Sequence, residues 1–190
     1  MKRIVILILL ALPFISPAQD IRYGVKAGLN LANYQGEDNG GRFKAGAYSG
    51  LFVNYKFTDM FAIQTELVYS QQGSRDHIDG NSVTTSLDYL TVPVLMQFSL
   101  NNFDQFIFVL GPQVGYLLDS KVKTEVGTEH DKSIYEDFDF GIIAGIEYEF
   151  SDHFLINTRY YYGLIKFFNQ SEVNSGARNF NISIGAAYRF

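Results

Sequence analysis

The chain has no cysteine among its 190 residues, so no disulfide staples it, although small exported domains with weak cores usually depend on them. Beyond residue 18 it also lacks any apolar run near the roughly 20 residues of a spanning helix. Any membrane insertion of that part must therefore use strands. A basic excess is missing too: 15 Lys and Arg stand against 20 Asp and Glu, a formal net charge of −5. That balance argues against a nucleic-acid partner, which needs a basic surface. Finally, there is no Pro/Ser-rich linker, low-complexity tract or compositional break after residue 18, so residues 19–190 read as one domain.

What is present begins with a leader. Met1-Lys2-Arg3 supplies a positive start, residues 4–12 are apolar, and Ser16-Pro17-Ala18 places small residues where a signal peptidase cuts. Residues 1–18 thus read as a secretory signal peptide, and its removal takes two positive charges away. No cysteine follows the cut, which excludes a lipoprotein anchor. Stability without disulfides then has to come from elsewhere, and a barrel closed in lipid supplies it by pairing every backbone amide with a neighbouring strand.

The mature chain alternates. In residues 179–190 Phe180, Ile182, Ile184, Ala186, Tyr188 and Phe190 share one face, and Asn181, Ser183, Gly185, Ala187 and Arg189 share the other, the period of a strand between an apolar and a polar medium. Residues 21–32, 45–57, 61–71, 86–100, 105–118, 138–150 and 154–166 make seven more segments of this kind, with the alternation fading to a near-continuous apolar run around Pro93. A proline there belongs at an edge, a bulge or a lipid-facing irregularity. Long polar loops at residues 33–44, 72–85, 119–137 and 167–178 alternate with short turns near 58–60, 101–104 and 151–153. An even number of strands, short turns on one side and long loops on the other match an all-β, eight-stranded antiparallel up-and-down transmembrane barrel. A soluble eight-stranded barrel also has eight strands. Its outer face, however, should carry Lys and Glu, whereas the polar face here is mostly Gly, Asn, Ser and Gln, which suits a confined lumen.

Taken over the whole mature chain, the sequence resembles the PorT-like outer-membrane β-barrel family of Bacteroidetes-type bacteria, whose members are often called porin family proteins. The resemblance is carried by Tyr23-Gly24-Val25-Lys26-Ala27-Gly28-Leu29-Asn30, Asp88-Tyr89-Leu90-Thr91-Val92-Pro93-Val94-Leu95, Gly111-Pro112-Gln113-Val114-Gly115-Tyr116 and Gly185-Ala186-Ala187-Tyr188-Arg189-Phe190. It implies a fold and a Gram-negative outer-membrane location, and it transfers no catalytic residue. The terminal Tyr188-x-Phe190 also resembles the carboxy-terminal signal recognised by the barrel-assembly machinery at insertion.

Arg22, Lys26, Lys56, Arg159 and Arg189 fall on the lumen face together with Glu66, Asp139, Glu147 and Glu149. Both signs in similar number suit a network of pairs that fills an interior only wide enough for side chains, and the competing reading is a charged constriction selecting a solute. Arg159 is expected to neutralise Glu147 and Glu149 on the neighbouring strand. The acidic loop, with Asp119, Glu125, Glu129, Asp131, Glu136 and Asp137, lacks the Asp-x-Asp-x-Asp-Gly spacing of a calcium loop, leaving weak cation bridging to lipopolysaccharide. His77 beside Asp76 and Asp79, and His130 beside Glu129 and Asp131, are the Asp/His neighbourhoods in loops, while His153 sits in a turn on the other side. Adjacency in sequence does not make a dyad, so no catalytic, cofactor or metal site is assigned. The expectation is a monomeric structural or interaction barrel with a closed lumen. Its partners are membrane lipid and lipopolysaccharide, with an envelope protein or an extracellular ligand at its loops or rim. Alternatives are a narrow solute channel, an outer-membrane enzyme and a soluble exported ligand-binding barrel.

Overall fold

The computed structural model describes residues 21–35, 42–78, 81–100, 103–124, 127–130, 135–165 and 178–190. The leader expected at residues 1–18 lies outside them. The strands are β1 (Ile21–Gln35), β2 (Arg42–Lys56), β3 (Phe61–Ile78), β4 (Asn81–Leu100), β5 (Phe103–Lys123), the two-residue β6 (Thr128–Glu129), β7 (Phe138–Glu149), β8 (Phe154–Gly163) and β9 (Arg178–Arg189). Each long strand pairs antiparallel with its neighbours in the order β4-β3-β2-β1-β9-β8-β7-β5, and the β4–β5 pairing joins the two ends. The result is a closed eight-stranded barrel, with β6 an annex on β5. Closure runs through the first and last strands, from Gly24 opposite Arg189 to Gln35 opposite Arg178. It removes the exposed edges that an open sheet would leave.

The two faces separate as the alternation requires. Leu29, Leu51, Val53, Leu67, Ile146 and Ile184 point outward and are exposed, whereas Lys26, Asn30, Asn54, Gln64, Glu66, Gln97 and Arg159 are buried in the lumen. In water this would be an inverted protein. In hydrocarbon it is the arrangement of lowest energy, because burying the polar set inside lets it hydrogen-bond. Aromatic side chains girdle both ends. Near the short turns Tyr23 meets Phe190 at 5.7 Å between ring centroids, Phe61 meets Phe98 at 5.3 Å and Phe154 meets Tyr188 at 5.0 Å. Towards the loops Phe43 meets Phe180 at 5.6 Å and Tyr116 meets Phe138 at 5.2 Å.

Three elements differ from the sequence reading. The polar stretch at residues 72–85 is strand for most of its length: β3 and β4 stay paired out to Ile78 opposite Asn81. Gly73 eases this extension with φ +129°, a backbone region that L side chains rarely adopt. Residues 119–123 of the acidic loop likewise continue β5. Polarity there does not mean irregular backbone, because a ribbon that rises out of lipid has water on both faces and loses its apolar stripe. Pro93 is the third difference. It is fully buried and faces inward rather than towards lipid, in mid-strand, where no pairing joins Pro93 and Val92 to Glu66 and Leu67 between the partners Thr65–Val94 and Val68–Thr91. The missing amide of proline accounts for a weak point in a ladder.

The barrel wall is uneven as a result. β3, β4 and β5 have 18, 20 and 21 residues, whereas β7, β8 and β9 have 12, 10 and 12. Since a spanning strand needs about 9–11 residues, the first three rise well beyond the bilayer on one side of the loop end.

Candidate functional site

The lumen is crossed at mid-height by a layer of ionised and amide side chains. Arg159 of β8 donates from Nη1 and Nη2 to the two oxygens of Glu66 on β3, at 2.9 and 2.8 Å, the planar fork-to-fork geometry that guanidinium and carboxylate favour. Its Nη2 also donates to Glu147 of β7. Lys26 of β1 donates to both oxygens of Glu66 at 3.1 and 3.0 Å, and its ammonium lies 5.6 Å from the ring centroid of Tyr48. Two cations thus face two carboxylates, and Arg159 and Glu66 are only 6% and 2% exposed. Neutrality and multiple hydrogen bonds are what allow charges to be held so far from water.

Amides extend this layer across the barrel. Gln64 donates to Glu66 at 2.7 Å, Gln97 of β4 donates to Glu147 at 3.0 Å, and Asn54 of β2 donates to Gln97 at 2.6 Å. Tyr48 packs where glycine leaves room: a Cβ on Gly185 would stand 2.2 Å from its hydroxyl oxygen, which itself donates to Asn157 at 2.8 Å. Among the described residues six of the eight barrel strands contribute to the plug.

Above the plug, towards the loops, lies a cavity of about 40 Å³ lined by Asn30, Ser70, Gln113, Arg159, Tyr161 and Asn181 among others. A water needs about 10–15 Å³ by this measure, so there is space for a few waters and none for a solute. Arg159 Nε, Tyr161 Oη and Asn181 Oδ1 have no protein partner, and all three residues line this cavity. Beyond it Asn179 bridges Gln72 at 2.6 Å and Asp139 at 3.2 Å, and then Leu87, Tyr89, Leu117 and Tyr135 pack as an apolar cluster with Tyr34 against it. Below the plug a polar vestibule of about 500 Å³ opens among the short turns, lined by Arg22, Lys56, Gln97, Glu149 and Arg189.

The structure distributes the nine candidate lumen residues over three levels. Lys26, Glu66, Glu147 and Arg159 meet in the plug. Arg22, Lys56, Glu149 and Arg189 line the vestibule, where Arg189 donates to Glu149 at 3.1 Å and Lys56 meets Asp59 at 2.9 Å. Asp139 stands apart near the loops, and among the described residues no cation pairs with it. The expected neutralisation of Glu149 by Arg159 is therefore corrected. Glu149 lies opposite Leu155, two positions along from Asn157, which faces Glu147, and it turns to Arg189, so the second partner of Arg159 is Glu66 from across the barrel. Parity could have found Gln64, Asn54, Gln97 and Tyr48, since all fall on the lumen face. Nothing in the sequence sets the distance between β3 and β8.

The loop candidates separate as well. His77, Asp76, Asp79, Glu125, Glu129 and Asp131 carry no described side chain. His130 lies 3.5 Å from Asp119, which also meets Lys121 at 3.0 Å. The Lys121 ammonium holds the Asp119 carboxyl below its usual range, and Asp119 raises Lys121 in return. Glu136 and Asp137 flank the start of β7. His153 shares a hydrogen bond between Nδ1 and the carbonyl of Arg189 at 2.9 Å and stacks on Tyr188. No group of three metal-binding side chains occurs among the described residues.

Residues 17–169 match the family described as outer membrane protein beta-barrel domain. No curated protein sequence matches the chain. Among solved structures it is similar to Neisserial surface protein A, with 14% identity over 88% of this chain and 97% of that one and a TM-score of 0.62. It is also similar to the attachment invasion locus protein Ail of Yersinia pestis in complex with the heparin analogue sucrose octasulfate, with 15% identity over 90% and 99% and a TM-score of 0.54. At such identities the likeness is one of fold.

Proposed function

The chain belongs to the outer membrane protein beta-barrel domain family, and from that premise we propose that its lumen is closed and that its working surface is the loop-end rim. The observation that carries this reading is the plug: Arg159 held between Glu66 and Glu147, with Lys26 and the amides of Asn54, Gln64 and Gln97 filling the same level. Opening it would strand charges in a narrow interior, which costs several kcal/mol per ion. The apolar cluster around Tyr89 forms a second barrier nearer the loops. What remains accessible is the raised wall of β3, β4 and β5 and the loops around it. The motifs from Tyr23 to Asn30 and from Asp88 to Leu95 support the finer placement in the PorT-like branch. That Ail, a protein of the same fold, is seen with a polysulfated glycan analogue agrees with a rim that engages a ligand.

In this reading the barrel is not an enzyme. His153 clasps the terminal strand and His130 sits beside Asp119, each in a structural contact. The test is conductance of the purified, refolded barrel in planar bilayers. The expected trace stays at the baseline of protein-free lipid, and stepwise openings by the wild type would replace this reading with a narrow solute channel.

A further inference from the structure

Three buried polar atoms above the plug have no partner in the protein, and they belong to one small block of the wall. Arg159 Nε, Tyr161 Oη and Asn181 Oδ1 make no hydrogen bond, although their residues are only 6%, 3% and 8% exposed. Arg159 and Tyr161 stand two positions apart on β8; Tyr161 lies directly opposite Asn181 on β9, and Arg159 lies directly opposite Ser183. Directly opposite and diagonal neighbours on one face of an antiparallel pair are within reach of each other's side chains, and all four of these line the same cavity of about 40 Å³. Buried polar groups are as a rule hydrogen-bonded, and one left bare costs folding free energy. Three of them at one cavity therefore point to something held there.

Their chemistry selects the ligand. A guanidinium Nε only donates, an amide oxygen only accepts, and a phenol hydroxyl does either. A cation would answer the amide oxygen and be repelled by Arg159, whereas an anion would answer Arg159 and Tyr161 and be repelled by the amide oxygen. Either ion would also leave a net charge behind, because the plug already balances Lys26 and Arg159 against Glu66 and Glu147, and an unbalanced charge away from water is costly. Water is neutral, and it accepts and donates at once. We infer that a bound water bridges Arg159 Nε to Asn181 Oδ1 and that a second one sits on Tyr161 Oη. At about 10–15 Å³ for each water by this measure, the cavity takes both. The hydrogen bonds of Arg159 to protein run to β3 and β7, and the bridge, nearly as good as a direct bond, ties the plug to the closing strand β9 as well. This assignment deepens the closed-lumen reading and rests on it.

The test is nuclear magnetic resonance of the full refolded barrel, labelled with nitrogen-15 and held in detergent micelles. The Nε–H signal of Arg159 is the one that disappears in Arg159→Lys. In the wild type it should show a cross-peak to water with opposite signs in laboratory-frame and rotating-frame Overhauser spectra, which separates a bound water from simple proton exchange. Asn181→Leu removes the acceptor and fills the cavity, so the cross-peak should be lost while heat-modifiable gel migration persists. Ser183→Val narrows the same space from the position opposite Arg159; it should at least halve the cross-peak, and it serves should Asn181→Leu not fold. A wild-type signal with no water cross-peak, or with one of equal sign in both spectra, would overturn the proposal. So would an undiminished cross-peak in the folded variants. Stepwise conductance in planar bilayers beside an intact cross-peak would remove the closed-lumen reading alone, and a silent bilayer with no cross-peak would remove the bound water alone, so the two failures are distinguishable.

Discussion

At the scale of single residues, identical chemistry has different consequences at different depths. Arg159 and Arg189 both hold a glutamate, yet Glu66 is wholly enclosed whereas the side chain of Glu149 is 22% exposed towards the vestibule. Replacing Arg159 by Leu should destabilise by about 3–5 kcal/mol, because two carboxylates lose their principal partner out of reach of water. Replacing Arg189 by Leu should cost about 1 kcal/mol, since water can solvate what is left. Urea titrations of the refolded variants in vesicles would separate the two, and equal losses would show that the plug is hydrated. On the outer face the direction of preference reverses. Ile146 is 45% exposed to the surroundings of the barrel, and Ile146→Arg should cost about 2–4 kcal/mol near the bilayer midplane, against less than about 1.5 for Ile146→Leu. The same titration reports both, and a tolerated arginine would mean that this face meets water.

At the scale of elements the terminal strand carries closure. β9 pairs with β1 over twelve positions and with β8 over nine, and the chain end is tied down by the amide of Phe190 on the carbonyl of Tyr23 at 2.9 Å. Deleting residues 188–190 removes that tie together with Tyr188, whose ring contacts Phe154, His153 and Phe190. Loss of heat-modifiable migration is the expected result, and unchanged folding of the truncated chain would show that closure needs only the upper part of the β1–β9 seam. Alternation made β1, β2, β7, β8 and β9 legible to within a few residues. It failed for the upper parts of β3, β4 and β5, because the apolar face disappears where the strand leaves lipid and only backbone pairing is left to define it.

For the molecule as a whole, short turns and long loops set a direction. The turns around Asp59 and Asp152 lie at the end where the described strands begin and finish, which in outer-membrane barrels is the periplasmic side. Protease sites placed within residues 36–41, 79–80 or 167–177 should be cut in intact cells, and sites at Asp59 or Asp152 should be cut only after permeabilisation. Cleavage at the turns of intact cells would invert the assignment.

The sequence by itself determined the class, the number of barrel strands and, where the alternation is regular, which side chains face inward, because each follows from a two-residue period that is local and independent of what lies across the barrel. It also supplied both signs of charge for the lumen. Only the tertiary structure decided which charges meet. Glu66 and Arg159 are 93 residues apart in the chain and come together through shear and closure, which depend on every register in the sheet at once. The same global geometry raised one wall of the barrel above the membrane. A change of register by two residues would keep every face as it is and rebuild every contact inside.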